Sequence, residues 1–372
     1  VMGLYDGSID SSGDGSSAHL AKALNTPVIL VVNVKGAAQS AGAVVMGFRE
    51  FDKEVNLAGV ILNNIASESH YECVKTAIEE SCSVAVLGYL NKDSDITIPE
   101  RHLGLIPSEE KKVSSDLYDK LGQMVIKTID TDRLQEIAGS PGDFPDYNKS
   151  IFINRDSSLE VTLAIARDSA FCFYYQDDID LFESMGAEIK LFSPLADKSL
   201  PDGIDGIYIG GGFPELFAER LMKNESMRSS IVEAYKQGAV IYGECGGMMY
   251  LLEKLIDCDG RSFKMSSVHN GTSKMEKRRQ GLGYVIVDVI CDTVISRKGD
   301  TFRAHEFHWS GLQDIPESTF FAYNTMKSNG KRTGVDGICK GNILASYTHI
   351  HFSSNPALAK NMLSSMAERV QI

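Results

Sequence analysis

Residues 239–255 read AVIYGECGGMMYLLEKL. The apolar run Ala239–Tyr242 predicts a short buried strand, and a helix is expected from Met248 onward. Between them, Gly243-Glu244-Cys245-Gly246-Gly247 predicts a sharp turn in which a side chain on either side of the cysteine would clash. Such a nucleophile elbow lifts Cys245 out of a sheet, and the following helix N-terminus favours its thiolate. The stretch therefore predicts an α/β domain with a reactive cysteine.

Other segments of the same half of the chain also alternate between predicted strands and helices. We predict strands over Thr162–Ala166, Ala187–Phe192 and Gly206–Ile209, and a helix over Gln176–Met185. Apolar runs of strand length that alternate with helical segments are typical of a parallel sheet. This half is therefore expected to be an α/β domain covering residues 161–372.

The first half of the chain shows a second series of alternating strands and helices. Strand-length apolar runs alternate there with segments of helical spacing, which implies right-handed crossovers and a parallel sheet. The predicted helices are Ser17–Leu24, Gln39–Phe48 and Ser69–Glu80, and the predicted buried strands are Pro27–Val34, Leu57–Asn63 and Val84–Leu90. Residues 138–160 are rich in Pro, Gly and small polar residues, which is typical of a linker. The first domain is expected to cover residues 1–137.

The composition excludes several classes of protein. Lys and Arg total 37 against 50 Asp and Glu, a formal net charge of −13, and such an acidic surface argues against nucleic-acid binding. No apolar run reaches the roughly 20 residues of a membrane-spanning helix. The seven cysteines are scattered without CxxC pairs, so we expect no disulfide framework, no structural zinc and a cytoplasmic location. Apart from Cys245, the cysteines are interpreted as buried and inert.

A cysteine nucleophile needs an oxyanion hole and a base. Gly210-Gly211-Gly212 follows the strand Gly206–Ile209, and the N–H of Gly212 together with that of Gly246 would supply two donors to an oxyanion. We expect the base to be one of the histidines.

Of the eight histidines, two are the strongest candidates for the base. His349 and His351 alternate in a late apolar stretch, which predicts that both lie on one face of a strand. His305 and His308 are expected on another alternating strand, because HExH is one residue too short for a zinc-protease helix. The others are interpreted as solvated: His19, His70, His102 and His269.

The motifs together resemble a known family, the cobyrinic acid a,c-diamide synthases. The matching stretches are VMGLYDG, SSAHLAKAL, TPVILVV, AGVILNN, IPERHLGL, DSAFCFYY, YIGGGFPEL, ECGGMMYL, AHEFHWS and ASYTHIHFSSNP. They follow one another over nearly the whole chain. The resemblance implies a P-loop, dethiobiotin-synthetase-like domain that activates a carboxylate with ATP and Mg²⁺, followed by a flavodoxin-like class I glutamine amidotransferase domain.

The resemblance also implies roles for individual residues. Cys245 would be the nucleophile and His349 the base that activates it. Asp6 would lie beside the activated carboxylate and phosphates, and Asn63 would approach the adenine. The partners implied are L-glutamine and a carboxylated tetrapyrrole, which is cobyrinate or nickel-sirohydrochlorin; the sequence leaves open whether the chain forms a homodimer.

The sequence departs from the family pattern in two ways. The phosphate-binding GxxxxGK[ST] loop of the family would lie upstream of Val1, so we expect the sequence to be truncated, with no metal site of its own and with the Mg²⁺ ligands mainly upstream. Many class I domains carry a Glu two residues after the base, where this chain has His351. A Cys–His dyad is therefore expected, with the imidazole oriented by a backbone carbonyl or another group.

Three alternatives remain at the level of sequence. Amidation of nickel-sirohydrochlorin for coenzyme F430 would use the same nucleotide chemistry on another macrocycle. A non-catalytic module would use the cysteine domain only to bind a ligand or partner. An esterase-like hydrolase is disfavoured, because Cys245 replaces serine and the first domain would have no role.

Overall fold

The chain divides into an N-terminal and a C-terminal unit. The computed structural model describes residues 3–7, 15–92, 96, 100–101, 104–105, 115–140, 152, 159–327 and 329–370. The units are Val1–Asn148 and Lys149–Ile372. Their boundary falls within 138–160, where the linker is predicted, although 141–151 and 153–158 lie outside the described residues. Over the described ranges, no helix combines the length and the apolar character needed to cross a membrane.

The N-terminal unit is built on a parallel sheet of order β1-β2-β3. Its strands are β1 (Val28–Asn33), β2 (Leu57–Ile65), β3 (Val86–Asn91), β4 (Glu100–Arg101) and β5 (Gly104–Leu105). Its helices are α1 (Ser17–Ala23), α2 (Ser40–Phe51), α3 (Glu68–Cys82), α4 (Ser115–Thr128) and α5 (Thr131–Ala138). The predicted strands and helices between 17 and 90 are confirmed, with ends that agree within three residues.

The core of this unit lies between the sheet and helices α2 and α3. Val60 and Leu62 of the central strand β2 are fully buried there, together with Val45 of α2 and Val74 of α3. The prediction that β1 is buried on both faces is wrong, because Val31 is 60% exposed. Among the described strands β1 is at an edge of the sheet, so one of its faces receives less cover.

The C-terminal unit contains a nine-stranded mixed sheet of order β16-β15-β18-β19-β20-β11-β9-β6-β8. Its strands are β6 (Val161–Ala166), β7 (Phe171–Phe173), β8 (Ala187–Phe192), β9 (Gly206–Ile209), β10 (Gly211–Gly212), β11 (Val240–Glu244), β12 (Lys254–Ile256), β13 (Ser262–Lys264), β14 (Thr272–Met275), β15 (Gly281–Val289), β16 (Thr301–His308), β17 (Ser310–Gln313), β18 (Phe320–Met326), β19 (Arg332–Lys340) and β20 (Ile343–Ser346). Its helices are α6 (Gln176–Ser184), α7 (Ala218–Lys223), α8 (Glu225–Lys236), α9 (Gly246–Leu251) and α10 (Pro356–Val370).

The parallel α/β sheet predicted for this unit is confirmed in five strands. Strands β8, β6, β9, β11 and β20 are parallel neighbours. The antiparallel strands β19, β18, β15 and β16 extend this sheet, and a second sheet of order β13-β12-β14-β17 lies apart from it. The sequence analysis predicted strand structure in these additions only around His305 and His308.

Strand β11 is central to the parallel part, between β9 and β20. Its side chains alternate between two buried cores: Tyr242 packs with α6 and α10 on one face, and Ile241 packs with α8 and α9 on the other. The ends of the three strands bring Ile209, Glu244 and Ser346 to the same edge of the sheet. In parallel α/β sheets, ligands bind outside these carboxyl ends of the strands.

Candidate active site

The nucleophile elbow predicted from the sequence is present at the end of β11. Cys245 lies between Glu244, the last residue of the strand, and Gly246, the first residue of α9. Its backbone has φ 49° and ψ −101°, a left-handed φ that is strained for a residue with a side chain. The Cys245 N–H donates to the Ser346 carbonyl at 2.7 Å. This bond between neighbouring strand ends helps to hold the strained turn in place.

The glycines after Cys245 allow β9 and the glycine-rich loop to approach the elbow. A Cβ on Gly247 would lie 1.8 Å from the Ile209 carbonyl oxygen, and a Cβ on Gly246 would lie 3.0 Å from the Gly212 nitrogen. Such backbone contacts leave no room for a side chain. The N–H groups of Gly212 and Gly246, the two predicted donors to an oxyanion, are thus brought close together.

Replacing Gly247 by alanine is expected to destabilise the C-terminal unit by about 3 kcal/mol or more, because its Cβ would meet a carbonyl of a fully buried strand. Thermal and denaturant unfolding measure this loss. Gly334→Ala is the matched control, since no atom lies within 4 Å of a Cβ placed there. An equal stability of the two variants would show that the elbow tolerates a side chain.

Not every glycine of the loop can serve an oxyanion. The Gly210 N–H donates to the Tyr174 hydroxyl at 2.8 Å, so it is not available to an oxyanion. Gly211 and Gly212 form strand β10, which pairs with β7. Gly211 lies against the base candidate, because a Cβ there would be 2.9 Å from His349 Cε1.

His349 is placed at the elbow by its own loop, after β20 has ended. It is 7% exposed, and its Nδ1 is 2.9 Å from Glu244 Oε1. Burial acts to lower the pKa of His349, but the charges of Cys245 and Glu244 and the hydrogen bonds to both raise it well above its usual value. The geometry therefore favours a protonated imidazole beside the cysteine.

The prediction that both candidate bases lie on one face of a strand is wrong. Strand β20 ends at Ser346, before either histidine, and the two imidazoles have different partners. His351 Nε2 pairs with Asp177 Oδ2 at 2.8 Å, and its ring packs edge-on against Tyr175. The period-two pattern failed here because it presumes an extended strand throughout.

His351 also belongs to the one described group of donors that could hold a metal ion. The carboxylates of Asp177 and Asp178 and the His351 imidazole have donor atoms within 4.8 Å of one another. Asp178 is buried and accepts a hydrogen bond from the Ser353 N–H at 2.8 Å. Asp177 and His351 are paired with each other. The sequence analysis placed no metal site in this region.

The predicted strand around HExH is confirmed as β16, and it contributes to the surroundings of His349. His305 and His349 exchange backbone hydrogen bonds, and their rings stack with centroids 4.8 Å apart. Burial, followed by the charge of His349, lowers the pKa of His305 to about 4. His305 is therefore neutral, and its ring stacks on the face of the His349 ring. Burial also raises the pKa of the adjacent Glu306 to about 7.

Several other sequence-based interpretations need correction. His269 is 8% exposed and its Nδ1 contacts the Asn270 carbonyl, so it is not solvated. His70 is half-buried with Nε2 2.6 Å from the Ala37 carbonyl, whereas His102 lies outside the described residues. Of the six cysteines interpreted as buried, only Cys82 is fully buried; all seven are free thiols.

The carboxylate that pairs with His349 was missed by the sequence analysis. Glu244 is 3% exposed, at the end of a strand whose other residues are apolar or glycine. A charged residue in such a strand is costly to bury unless it is paired. That local signal could have identified Glu244 as a functional residue, but its partner could not be read from the motif.

The remaining predicted site residues lie in the N-terminal unit. Asn63 is near the carboxyl end of β2, paired between Asn33 of β1 and Leu90 of β3. Asp6 is exposed and follows a turn in which its N–H donates to the Gly3 carbonyl. Residues 8–14 of the polar loop that follows lie outside the described residues.

Fold and site together define a glutamine amidotransferase: a cysteine elbow and a histidine at the carboxyl edge of a parallel sheet. A family model described as a CobB/CobQ-like glutamine amidotransferase domain matches residues 162–357. A model described as an AAA domain matches residues 8–100.

Curated relatives extend the likeness to both units. The chain is 44% identical to a cobyrinate a,c-diamide synthase of Listeria innocua, over 97% of this chain and 79% of that protein. It is 41% identical to one of Dehalococcoides mccartyi (98% and 79%) and 40% identical to one of Methanothermobacter thermautotrophicus (97% and 79%). The chain belongs to the cobyrinate a,c-diamide synthase family, and it is an enzyme that forms amides with nitrogen taken from glutamine.

Proposed function

We propose that this enzyme uses ATP and glutamine to convert the a- and c-acetate carboxylates of cobyrinate into amides, a step of cobalamin biosynthesis. The observation that carries the proposal is the placement of Cys245, His349 and the Gly212 and Gly246 backbone at one edge of the sheet. The names of the relatives support cobyrinate as the substrate.

Glutamine hydrolysis is assigned to the C-terminal unit. The Cys245 thiolate attacks the side-chain carbonyl of glutamine, and the Gly212 and Gly246 N–H groups stabilise the oxyanion that forms. The His349 imidazolium gives its proton to the departing nitrogen, which leaves as ammonia while a thioester remains on Cys245. Neutral His349 then removes a proton from water, whose attack on the thioester releases glutamate.

Carboxylate activation is assigned to the N-terminal unit. Transfer of the γ-phosphoryl group of ATP to the substrate carboxylate gives an acyl phosphate and ADP, and attack by ammonia gives the amide and phosphate. We propose that Asp6, which is exposed, lies beside the carboxylate and phosphates. We propose that Asn63, near the carboxyl end of β2, approaches the adenine.

The test uses the full-length protein with cobyrinate and, separately, nickel-sirohydrochlorin, each with ATP, Mg²⁺ and glutamine. Mass spectrometry should show conversion of cobyrinate to its a,c-diamide, with one ADP formed for each amide. Consumption of nickel-sirohydrochlorin alone would transfer the assignment to that macrocycle. Failure to release glutamate from glutamine would instead favour a non-catalytic module.

Replacing Asp6 by alanine is expected to impair amidation equally with glutamine and with ammonia, because Asp6 acts after ammonia has been formed. The loss should be about 10²-fold or more, as for other groups that stabilise transferring phosphoryl charge. Glu54→Gln, which changes an exposed carboxylate of the same unit, is the matched control.

Comparison of the two nitrogen donors decides the role of Asp6. A fall confined to the glutamine-dependent reaction would assign Asp6 to coupling between the two half-reactions. An unchanged rate with both donors would remove it from the activation site.

A further inference from the structure

The carboxylate of Glu244 is buried, and both of its oxygens accept hydrogen bonds. Oε1 accepts from His349 Nδ1 at 2.9 Å, and Oε2 accepts from the Tyr242 hydroxyl at 2.9 Å and from the Ile350 N–H at 3.1 Å. No lysine or arginine of the described chain pairs with it, and its ion-pair partner is His349. Three donors around a side chain that is 3% exposed hold it in one position.

This contact determines the tautomer of the base. An ionised carboxylate only accepts hydrogen bonds, so the Nδ1 of His349 must carry the proton that it shares with Glu244. The other ring nitrogen, Nε2, is then left for the hydrogen bond with Cys245 that contributes to the raised pKa of His349. In the neutral ring, this is the tautomer that can accept a proton from a thiol or a water molecule.

The backbone explains how two consecutive residues can act on one imidazole. In a regular strand, neighbouring side chains point to opposite faces of the sheet. The left-handed φ of 49° at Cys245 breaks that alternation directly after Glu244. As a result, the thiol and the carboxylate both reach His349, which lies 105 residues further along the chain than Glu244.

We propose that Glu244 is the positioning residue that completes a Cys245–His349–Glu244 catalytic unit, with the nucleophile and the orienting carboxylate adjacent in sequence. This inference rests on the proposed glutaminase role of Cys245. It also accounts for His351 at the place where many class I domains have their glutamate, because Glu244 supplies the carboxylate from a neighbouring strand.

The charged groups around His349 determine how a change at Glu244 alters the pKa of His349. Among the described residues, the titratable groups that influence His349 or stack on it are Cys245, Glu244, His305, Glu306 and His308. The low pKa of His305 keeps that ring neutral at pH 7. Loss of the Glu244 charge should therefore lower the pKa of His349 and shift the alkaline limb of the glutaminase pH profile to lower pH.

The experiment compares Glu244→Gln with the full-length wild type, with Glu188→Gln as the control at a carboxylate that is 67% exposed. We expect kcat for glutamine hydrolysis to fall by about 10²- to 10⁴-fold, with the alkaline limb moved to lower pH. Ammonia-dependent amidation should stay at the wild-type rate, as should both reactions of Glu188→Gln.

A second variant keeps the proposal testable if Glu244→Gln does not fold. Glu244→Asp retains the charge but is one methylene shorter, so we expect a smaller loss of kcat and an alkaline limb close to that of the wild type. A glutaminase rate of Glu244→Gln within threefold of wild type would overturn the proposal. So would an alkaline limb in Glu244→Asp shifted to lower pH, because the effect would then not depend on charge.

Failure of this inference is distinguishable from failure of the proposed function. If Cys245→Ala abolishes glutamine use while Glu244→Gln retains it, the function stands and the role of Glu244 is wrong. If Cys245→Ala still hydrolyses glutamine, the proposed site itself is wrong, and the role of Glu244 is wrong with it.

Discussion

Replacing Cys245 by alanine is expected to abolish glutamine-dependent amidation while ammonia-dependent amidation continues at close to the wild-type rate. In the proposed mechanism the thiolate supplies only ammonia, so its loss should leave the activation of the carboxylate untouched. Removal of a nucleophile at the centre of a catalytic unit should reduce glutamine hydrolysis by more than about 10⁴-fold. Parallel assays with the two nitrogen donors, at equal ATP and substrate, measure the difference.

The control for this variant is Cys258→Ala, which removes an exposed thiol of the same unit. It should retain both reactions. Glutamine use at the wild-type rate by Cys245→Ala would refute the elbow assignment. A loss of both reactions would show that the alanine disturbs more than ammonia supply, contrary to the proposed division of labour.

Replacing His349 by alanine is expected to lower the rate of glutamine hydrolysis by about 10²- to 10⁴-fold, the usual range for loss of a general acid and base. His349 is buried beside Cys245 and Glu244, whereas His351 pairs with Asp177 on a more exposed surface. His351→Ala should therefore cost much less than His349→Ala. Steady-state glutaminase assays of the two variants at several pH values test this.

The decisive result is which of the two variants, His349→Ala or His351→Ala, loses more glutaminase activity. Equal losses, or a greater loss in His351→Ala, would transfer the role of the base to His351. Ammonia-dependent amidation should continue in both variants, because the proposed mechanism gives neither imidazole a part in activation of the carboxylate.

Much of the fold could be predicted because its signals are local. Strands such as Ala187–Phe192 and Gly206–Ile209 appear in the structure with the predicted bounds. Gly206–Ile209 is a short apolar run that is fully buried in the interior of the parallel sheet. Ala187–Phe192 is the edge strand, in which Glu188 and Lys190 alternate with apolar residues. Both patterns are complete within the strand itself, so neither depends on knowing the neighbouring strands. The elbow is local in the same way, since its glycines and cysteine are consecutive.

The antiparallel part of the C-terminal sheet was largely missed for the opposite reason. Strands β15, β18 and β19 have mixed, half-exposed patterns, and their identity as strands depends on pairing with segments distant in sequence. Strand propensity reflects such packing more than it reflects the residues alone. Only β16, whose HExH spacing does not fit a zinc-protease helix, gave a usable signal.

The sequence by itself determined that this chain has two α/β units and a cysteine elbow, because both follow from short-range patterns of apolar residues and glycine. Only the tertiary structure decided how His349 is held. The parallel pairing of β11 with β20 brings Glu244 opposite Ser346, and the chain beyond that pair then places His349 on Glu244 and His351 on Asp177. Contacts across more than 100 residues of chain are made by the packing of strands, and a motif read along the chain does not contain them.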